Sequence, residues 1–302
     1  ELAGMGQSSC LDPNGIVNAR VTNLSNQALP NRSYPFTVYD FTVSLYLGQS
    51  ASGSSQDMPP TIGEGYHELA GLDSGWYFVH LVDENTGCEA QDTIYLEDER
   101  YYPVIDIVEE QSLTNCVNPN GQLSATADNG QVTGYQFDWY AGNITPGPAD
   151  VVIDTLNKLI GRPAGDYTVL VTIDASGCTN FKMDSIQDKT NESTPRRPTI
   201  NIISHVTKCE PLPPDGWLNV TVEDDDDPSD VRYRFDWYIG DQVLATPDYV
   251  GFDYYNLSGA ADPGAPYTVT ATDLISGCVS PAETKFVKIQ TIIPRLELSS
   301  TS

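Results

Sequence analysis

Tyr135-Gln-Phe-Asp-Trp-Tyr-Ala-Gly142 and Tyr233-Arg-Phe-Asp-Trp-Tyr-Ile-Gly240 are two copies of one phrase. Tyr, Phe and Trp alternate with polar residues, so a strand of period two turns all three toward one face, the core face. A weaker third version, Phe41-Thr-Val-Ser-Leu-Tyr-Leu-Gly48, has Leu45 where the others place Trp139 and Trp237.

Each phrase sits inside a longer repeat. Upstream lies a cysteine and a turn: Cys10-Leu-Asp-Pro-Asn-Gly15, Cys116-Val-Asn-Pro-Asn-Gly121, and Cys209 leading to Pro-Pro-Asp-Gly216. Pro presets φ and Gly accepts a positive φ, so these are turn signals. Alternating strands follow, such as Gln122-Leu-Ser-Ala-Thr-Ala127. Downstream, Tyr77, Tyr167 and Tyr267 each stand 11 residues before Cys88, Cys178 and Cys278, with Gly87, Gly177 and Gly277 before the cysteine. The constant spacing implies one backbone path, and the tyrosine is placed as in the tyrosine corner of Greek-key sandwiches. A last strand closes each copy, for example Gln91 to Leu96.

About seven short strands per copy, frequent turns and a repeat of about 95 residues predict an all-β chain of three tandem immunoglobulin-like β-sandwich domains plus a C-terminal strand. Copies two and three open with Pro103-Val-Ile-Asp-Ile107 and Pro198-Thr-Ile-Asn-Ile202, and the phrase returns as Pro294-Arg-Leu-Glu-Leu298. Copy one lacks it. The expected division is therefore residues 1–98 (a first domain lacking its first strand), 99–190, 191–292, and a donor strand at 293–302.

The cysteines Cys10, Cys88, Cys116, Cys178, Cys209 and Cys278 fall two per copy. That arithmetic predicts one disulfide inside each domain: Cys10–Cys88, Cys116–Cys178 and Cys209–Cys278. Such bonds imply an oxidising compartment, hence export to the cell surface or beyond. Each would close a loop worth on the order of 4 kcal/mol in the chain-entropy model.

The net charge of −27, from 42 acidic and 15 basic residues, disfavours nucleic acid and anionic membrane as partners. No stretch approaches the roughly 20 apolar residues that span a bilayer, so no membrane insertion is expected. The chain opens without Met or a signal peptide, as a processed secreted protein or a trimmed chain would.

The Cys–turn–Gly element, Tyr-x-Phe-x-Trp, and Gly-x-Tyr-x-Val-x-Val with its closing Gly-Cys together resemble the repeats of the gliding adhesin SprB and related Bacteroidetes surface proteins. The resemblance covers copies two and three well and copy one only at its ends. It implies secreted tandem modules on a cell surface and no enzyme activity.

The residues carry no catalytic set and no cofactor motif. His67, His80 and His205 lie far apart in the pattern, and His80 reads as surface of a strand. The acidic run Asp224, Asp225, Asp226, Asp227 with Asp230 is either a loop that holds Ca²⁺ or a solvated turn; it lacks the spaced oxygens and Gly of an EF-hand. Asn-x-Ser/Thr begins at Asn23, Asn31, Asn143, Asn191, Asn219 and Asn256, candidate glycan acceptors in a eukaryote. Asp-Ser/Thr followed by an apolar residue, the acceptor pattern that the resemblance to Bacteroidetes proteins implies, marks Thr93, Thr155 and Ser185.

Three functions fit this reading. In the first, the chain polymerises head to tail with identical subunits: Pro294, Leu296 and Leu298 of one subunit fill the open edge of domain 1 of the next, a donor-strand exchange giving a pilus-like filament. In the second, it is a fragment of a tandem-repeat cell-surface adhesin. In the third, it is a carbohydrate-binding accessory module, with Tyr249, Tyr254 and Tyr255 stacking on surface glycans.

Overall fold

The computed structural model describes residues 1–20, 41–60, 66–209, 212–223, 232–252, 256–260 and 266–297. Copy one forms β1 (Leu2–Met5), β2 (Gly15–Ala19), β3 (Phe41–Leu47), β4 (Ser55–Asp57), β5 (His67–Leu72), β6 (Gly75–Asp83) and β7 (Glu89–Leu96). Copy two forms β8 (Ile105–Gln111), β9 (Gly121–Ala127), β10 (Tyr135–Ala141), β11 (Lys158–Arg162), β12 (Gly165–Ile173) and β13 (Thr179–Ile186). A four-residue helix α1 (Thr190–Ser193) follows. Copy three forms β14 (Thr199–Ser204), β15 (Gly216–Thr221), β16 (Tyr233–Ile239), β17 (Tyr249–Phe252), β18 (Asn256–Ala260), β19 (Pro266–Asp273) and β20 (Glu283–Phe286).

Each copy builds two small sheets. Copy one gives β1-β2-β5 and β4-β3-β6-β7, copy two gives β8-β9-β11 and β10-β12-β13, and copy three gives β14-β15-β18 and β17-β16-β19-β20. The chain is thus all-β, with three tandem modules of immunoglobulin-like sandwich type. After each first strand the chain crosses to the other sheet and runs parallel to the exit strand. Gln7 bridges Asp98, Leu113 bridges Asp188, and Val206 bridges Ile289.

By its contacts the described chain forms two compact units, and the division passes through copy two. One unit holds Glu1–Ile107, Ala125–Asn157 and Thr168–Met183, the other Val108–Ser124, Lys158–Tyr167 and Asp184–Ser302.

The alternating aromatic phrase does what its period requires. In β16, Tyr233, Phe235 and Trp237 join Leu218 and Val220 of β15 and Val269 of β19 in one buried cluster. In copy one, Val43 and Leu45 of β3 meet Val17 of β2 and Val79 of β6. Trp139 is fully buried, and its indole N–H donates to the Leu156 carbonyl at 2.9 Å, which satisfies its one polar atom. The tyrosine corner is present: Tyr77 Oη donates to the Asp73 carbonyl and Tyr167 Oη to that of Pro163, both at 2.9 Å. Burial pushes both phenols above their ordinary range.

One expectation is corrected at the N-terminal end. Copy one does not lack its first strand, because β1 pairs antiparallel with β2 from Leu2↔Ala19 to Met5↔Ile16. This is the place β14 holds on β15, where Ile200 faces Val220. Leu-Ala-Gly-Met shares no residue pattern with the Pro-led phrase, yet the ladder uses backbone groups that every residue except Pro supplies. The edge is therefore occupied. Residues 291–297 form no strand within the chain itself, and Leu296 is 84% exposed. Leu298 lies outside the described residues.

Removing residues 1–5 should strip four ladder pairs from β2 and the contact of half-buried Leu2 with the copy-one core. We expect a loss of about 2–4 kcal/mol in urea unfolding of copy one. An unchanged midpoint would mean that β1 is dispensable.

Candidate functional site: disulfides between copies

The cysteines pair across copies and not within them. Cys10 of copy one bonds Cys178 of copy two, and Cys116 of copy two bonds Cys278 of copy three, with Cα atoms 4.9 and 5.0 Å apart. Cys88 and Cys209 are free and exposed. This overturns the expected Cys10–Cys88, Cys116–Cys178 and Cys209–Cys278 bonds.

The physical reason lies in strand direction. Cys10 precedes Gly15, which starts β2 and pairs with Leu72 at the end of β5. β6 starts beside that end at Gly75 and runs nine residues to Asp83 before the hairpin that carries Cys88. Nine strand residues span roughly 25–30 Å, whereas a disulfide needs Cα atoms within about 7 Å. The two cysteines of a copy thus belong to opposite ends of their own strands.

Each half of a staple is prepared by its own copy. On the first-cysteine side, an Asx side chain gathers the N–H groups just upstream. Asn14 Oδ1 accepts from Ser8 and Ser9 at 2.9 and 3.1 Å. Asn120 Oδ1 accepts from Thr114 and Asn115 at 2.9 and 3.2 Å. Asp215 Oδ1 accepts from Thr207 and Lys208 at 2.8 and 3.2 Å. These three are the Asn or Asp of the Pro-Asn-Gly and Pro-Asp-Gly turns, which the sequence shows only as turns. The Thr207 hydroxyl also donates to Asp215 Oδ2 at 2.6 Å, and with the Thr207 N–H it holds that carboxyl down at about 2.

On the second-cysteine side, a hairpin presents the sulfur. Gly87, Gly177 and Gly277 have φ of 70°, 69° and 67°, a left-handed conformation that glycine adopts without steric cost. A hydroxyl two residues before each cysteine accepts the cysteine N–H: Thr86, Ser176 and Ser276, at 3.4, 3.4 and 3.3 Å.

The halves then meet. Cys10 N–H donates to the Ser176 carbonyl, and Cys116 N–H to that of Ser276, both at 2.8 Å. Leu11 lies over Gly177 so closely that a Cβ there would sit 2.3 Å from Leu11 Cγ, and Val117 covers Gly277 in the same way at 2.6 Å. Cys178 and Cys278 are fully buried.

The linkers after copies one and two are held as well. Asp98 pairs with Arg100 through both carboxylate oxygens, and this guanidinium keeps its carboxyl at about 2. Asp188 accepts from the N–H and hydroxyl of Thr190, which likewise hold it down. Asp128, at φ 42°, accepts from Tyr101 of the linker, from Tyr135 and from the Val104 N–H at 2.6, 2.6 and 2.9 Å. The Asp128 carboxylate raises Tyr135 to about 12.

Among the described residues, the other sequence-read positions do not gather into a site. Thr93, Thr155, Asn143 and Asn191 are exposed, Ser185 and Asn219 half-buried. Asn23, Asn31, Tyr254, Tyr255 and the run Asp224 to Asp227 with Asp230 lie outside the described residues, as does the side chain of Asn256. His67 is buried with Nδ1 2.8 Å from the Met58 carbonyl, and His80 pairs with Glu89 at 3.0 Å. His205 Nδ1 accepts the Lys288 N–H at 3.1 Å. Among the described residues no group of three or more His, Cys, Asp or Glu is arranged to hold a metal, and no helix is long and apolar enough to cross a membrane.

The modules belong by architecture to the tandem immunoglobulin-like class. No family model and no curated protein matches the chain. Among solved structures it is similar to the three N-terminal domains of the bacteriophage RB49 highly immunogenic outer capsid protein Hoc, at 16% identity and TM-score 0.33, covering 97% of this chain and 99% of that one. It is also similar to domains A168–A170 of titin, at 15% identity and TM-score 0.30, covering 95% and 97%. Domains 7, 8 and 9 of the S-layer protein SbsC match at 13% identity and TM-score 0.31, covering 74% and 73%.

The Asp215 loop carries a pH signature. Its folded pKa is depressed, so the loop is complete above the ordinary carboxylate value of 3.8 and is lost as pH falls through about 2. In an NMR titration from pH 5 downward, the Thr207 and Lys208 amide resonances should move with a midpoint near 2. They should stay fixed in Asp215→Asn, which copies the acceptor of Asn14 and Asn120. A midpoint near 3.8 would mean that the carboxylate does not hold these amides.

Proposed function

We propose that the chain is an extracellular tandem-module stalk whose consecutive copies are cross-linked by disulfides. The observation that carries this reading is that both bonds join one copy to the next. Disulfides persist in oxidising compartments, which supports an extracellular location. A surface with a net charge of −27 stays hydrated and resists non-specific association. The resemblance to gliding-adhesin repeats agrees with a stalk on a cell surface, and the role we propose is structural and not enzymatic. Loops of sequence separation 168 and 162 are each worth about 5 kcal/mol in the chain-entropy model.

The strand-exchanged filament loses its premise, since β1 already holds the edge that the C-terminal phrase was to fill. The carbohydrate-binding reading rests, among the described residues, on the half-exposed Tyr249 alone.

Mechanical stretching from the two ends tests the stalk. The bonds overlap in sequence, so force bypasses most of the chain through Cys10–Cys178 and Cys116–Cys278. Oxidised molecules should extend to roughly a third of the length reached after reduction, at up to about 3.5 Å per residue. Equal extension in both states would overturn the cross-linked stalk. Light scattering of the Leu296→Asp, Leu298→Asp double variant separates it from the filament: the stalk predicts an unchanged mass distribution, and a loss of polymers would restore the C-terminal strand as a joint.

A further inference from the structure

Two members of the staple series are free. In each observed bond, the first cysteine of a copy reaches the second cysteine of the copy that follows. Copy three has such a first cysteine, Cys209, and copy one has such a second cysteine, Cys88, and both are free and exposed.

Both halves are nevertheless built like those that are joined. Cys88 stands in the same hairpin as Cys178 and Cys278. The N–H of Gly87 donates to Asp83 at 2.7 Å and that of Asp83 to Cys88 at 2.9 Å; in copy three, Gly277 to Asp273 and Asp273 to Cys278 measure 2.8 and 2.9 Å. Cys209 follows the same gathered N–H pair, now held by Asp215. What differs is the cover: the glycines at 177 and 277 lie under Leu11 and Val117, whereas among the described residues nothing lies within 4 Å of a Cβ built on Gly87. Cys178 and Cys278 are fully buried, and Cys88 is not. The hairpin of copy one is thus a receptor in the shape its relatives take when occupied, left open.

We propose that Cys209 of one molecule of this chain bonds Cys88 of a second molecule, so that the series of staples continues from chain to chain. The inference rests on the stalk reading and adds its partner, a second copy of the same chain. The contact is heterologous, head to tail, and does not close on itself. The bond forms by thiol–disulfide exchange with a low-molecular-weight disulfide as oxidant. The Cys88 thiolate attacks that disulfide and expels one thiolate, giving a mixed disulfide. The Cys209 thiolate of the other molecule then attacks the Cys88 sulfur and expels the second. Two protein thiols become one disulfide, the oxidant becomes two thiols, and no further reactant is needed.

The test uses the whole chain, exposed to a glutathione redox buffer and run on non-reducing gels. Wild type should give a ladder of covalent multimers. Cys88→Ser and Cys209→Ser should each stay monomeric alone. Mixed one to one, they should give a dimer and nothing larger, because one supplies only Cys209 and the other only Cys88. Peptide mapping of that dimer should return the Cys88–Cys209 peptide. The ladder should collapse on reduction.

A wild-type chain that stays monomeric overturns the proposal, as does dimer formation by either variant alone, which would mean a symmetric bond. The same mapping keeps the two readings apart. A monomer holding Cys10–Cys178 and Cys116–Cys278 leaves the stalk standing and removes only the joint between molecules. A monomer with bonds inside its copies removes both.

Discussion

A disulfide closes only where two Cα atoms approach within about 7 Å, and in this repeat strand direction forbids that approach within a copy. The first cysteine sits where β2 begins and the second beyond the far end of β6. Everything specific to the chain depends on this polarity. A cysteine that cannot reach its own partner is available to the neighbouring copy, and the same geometry, repeated, turns an arithmetic of two cysteines per copy into a running series of cross-links.

The series needs preparation on both sides. An unrestrained loop bearing a cysteine would lose much backbone entropy on bonding, at roughly 1–2 kcal/mol per fixed residue. The Asx acceptors Asn14, Asn120 and Asp215 and the hydroxyls of Thr86, Ser176 and Ser276 fix those residues beforehand. Copy three departs slightly. Its loop runs seven residues from Cys209 to Gly216, where copies one and two take five, and its acceptor is a carboxylate. The gathered N–H pair is preserved all the same.

Much of the fold was legible. Alternating Tyr, Phe and Trp marked β10 and β16 because period two separates a buried from an exposed face, and the fixed 11-residue step from Tyr to Cys marked β6, β12 and β19. The first strand of copy one was not legible, because a ladder of backbone bonds asks little of side chains. Leu-Ala-Gly-Met buries only part of Leu2, too little for a pattern. The pairing of cysteines was missed for another reason. Counting two per copy ignores direction, although the length of the strand between Tyr77 and Cys88 already placed the two sulfurs apart.

The bonds cross the linkers that join the copies, and this gives the chain a tolerance that ordinary beads on a string lack. Cleavage after Arg100 would leave residues 1–100 tethered to the remainder through Cys10–Cys178, and cleavage after Arg196 would leave copy three tethered through Cys116–Cys278. A protease that nicks an exposed connection in such a molecule cuts its backbone without cutting its continuity.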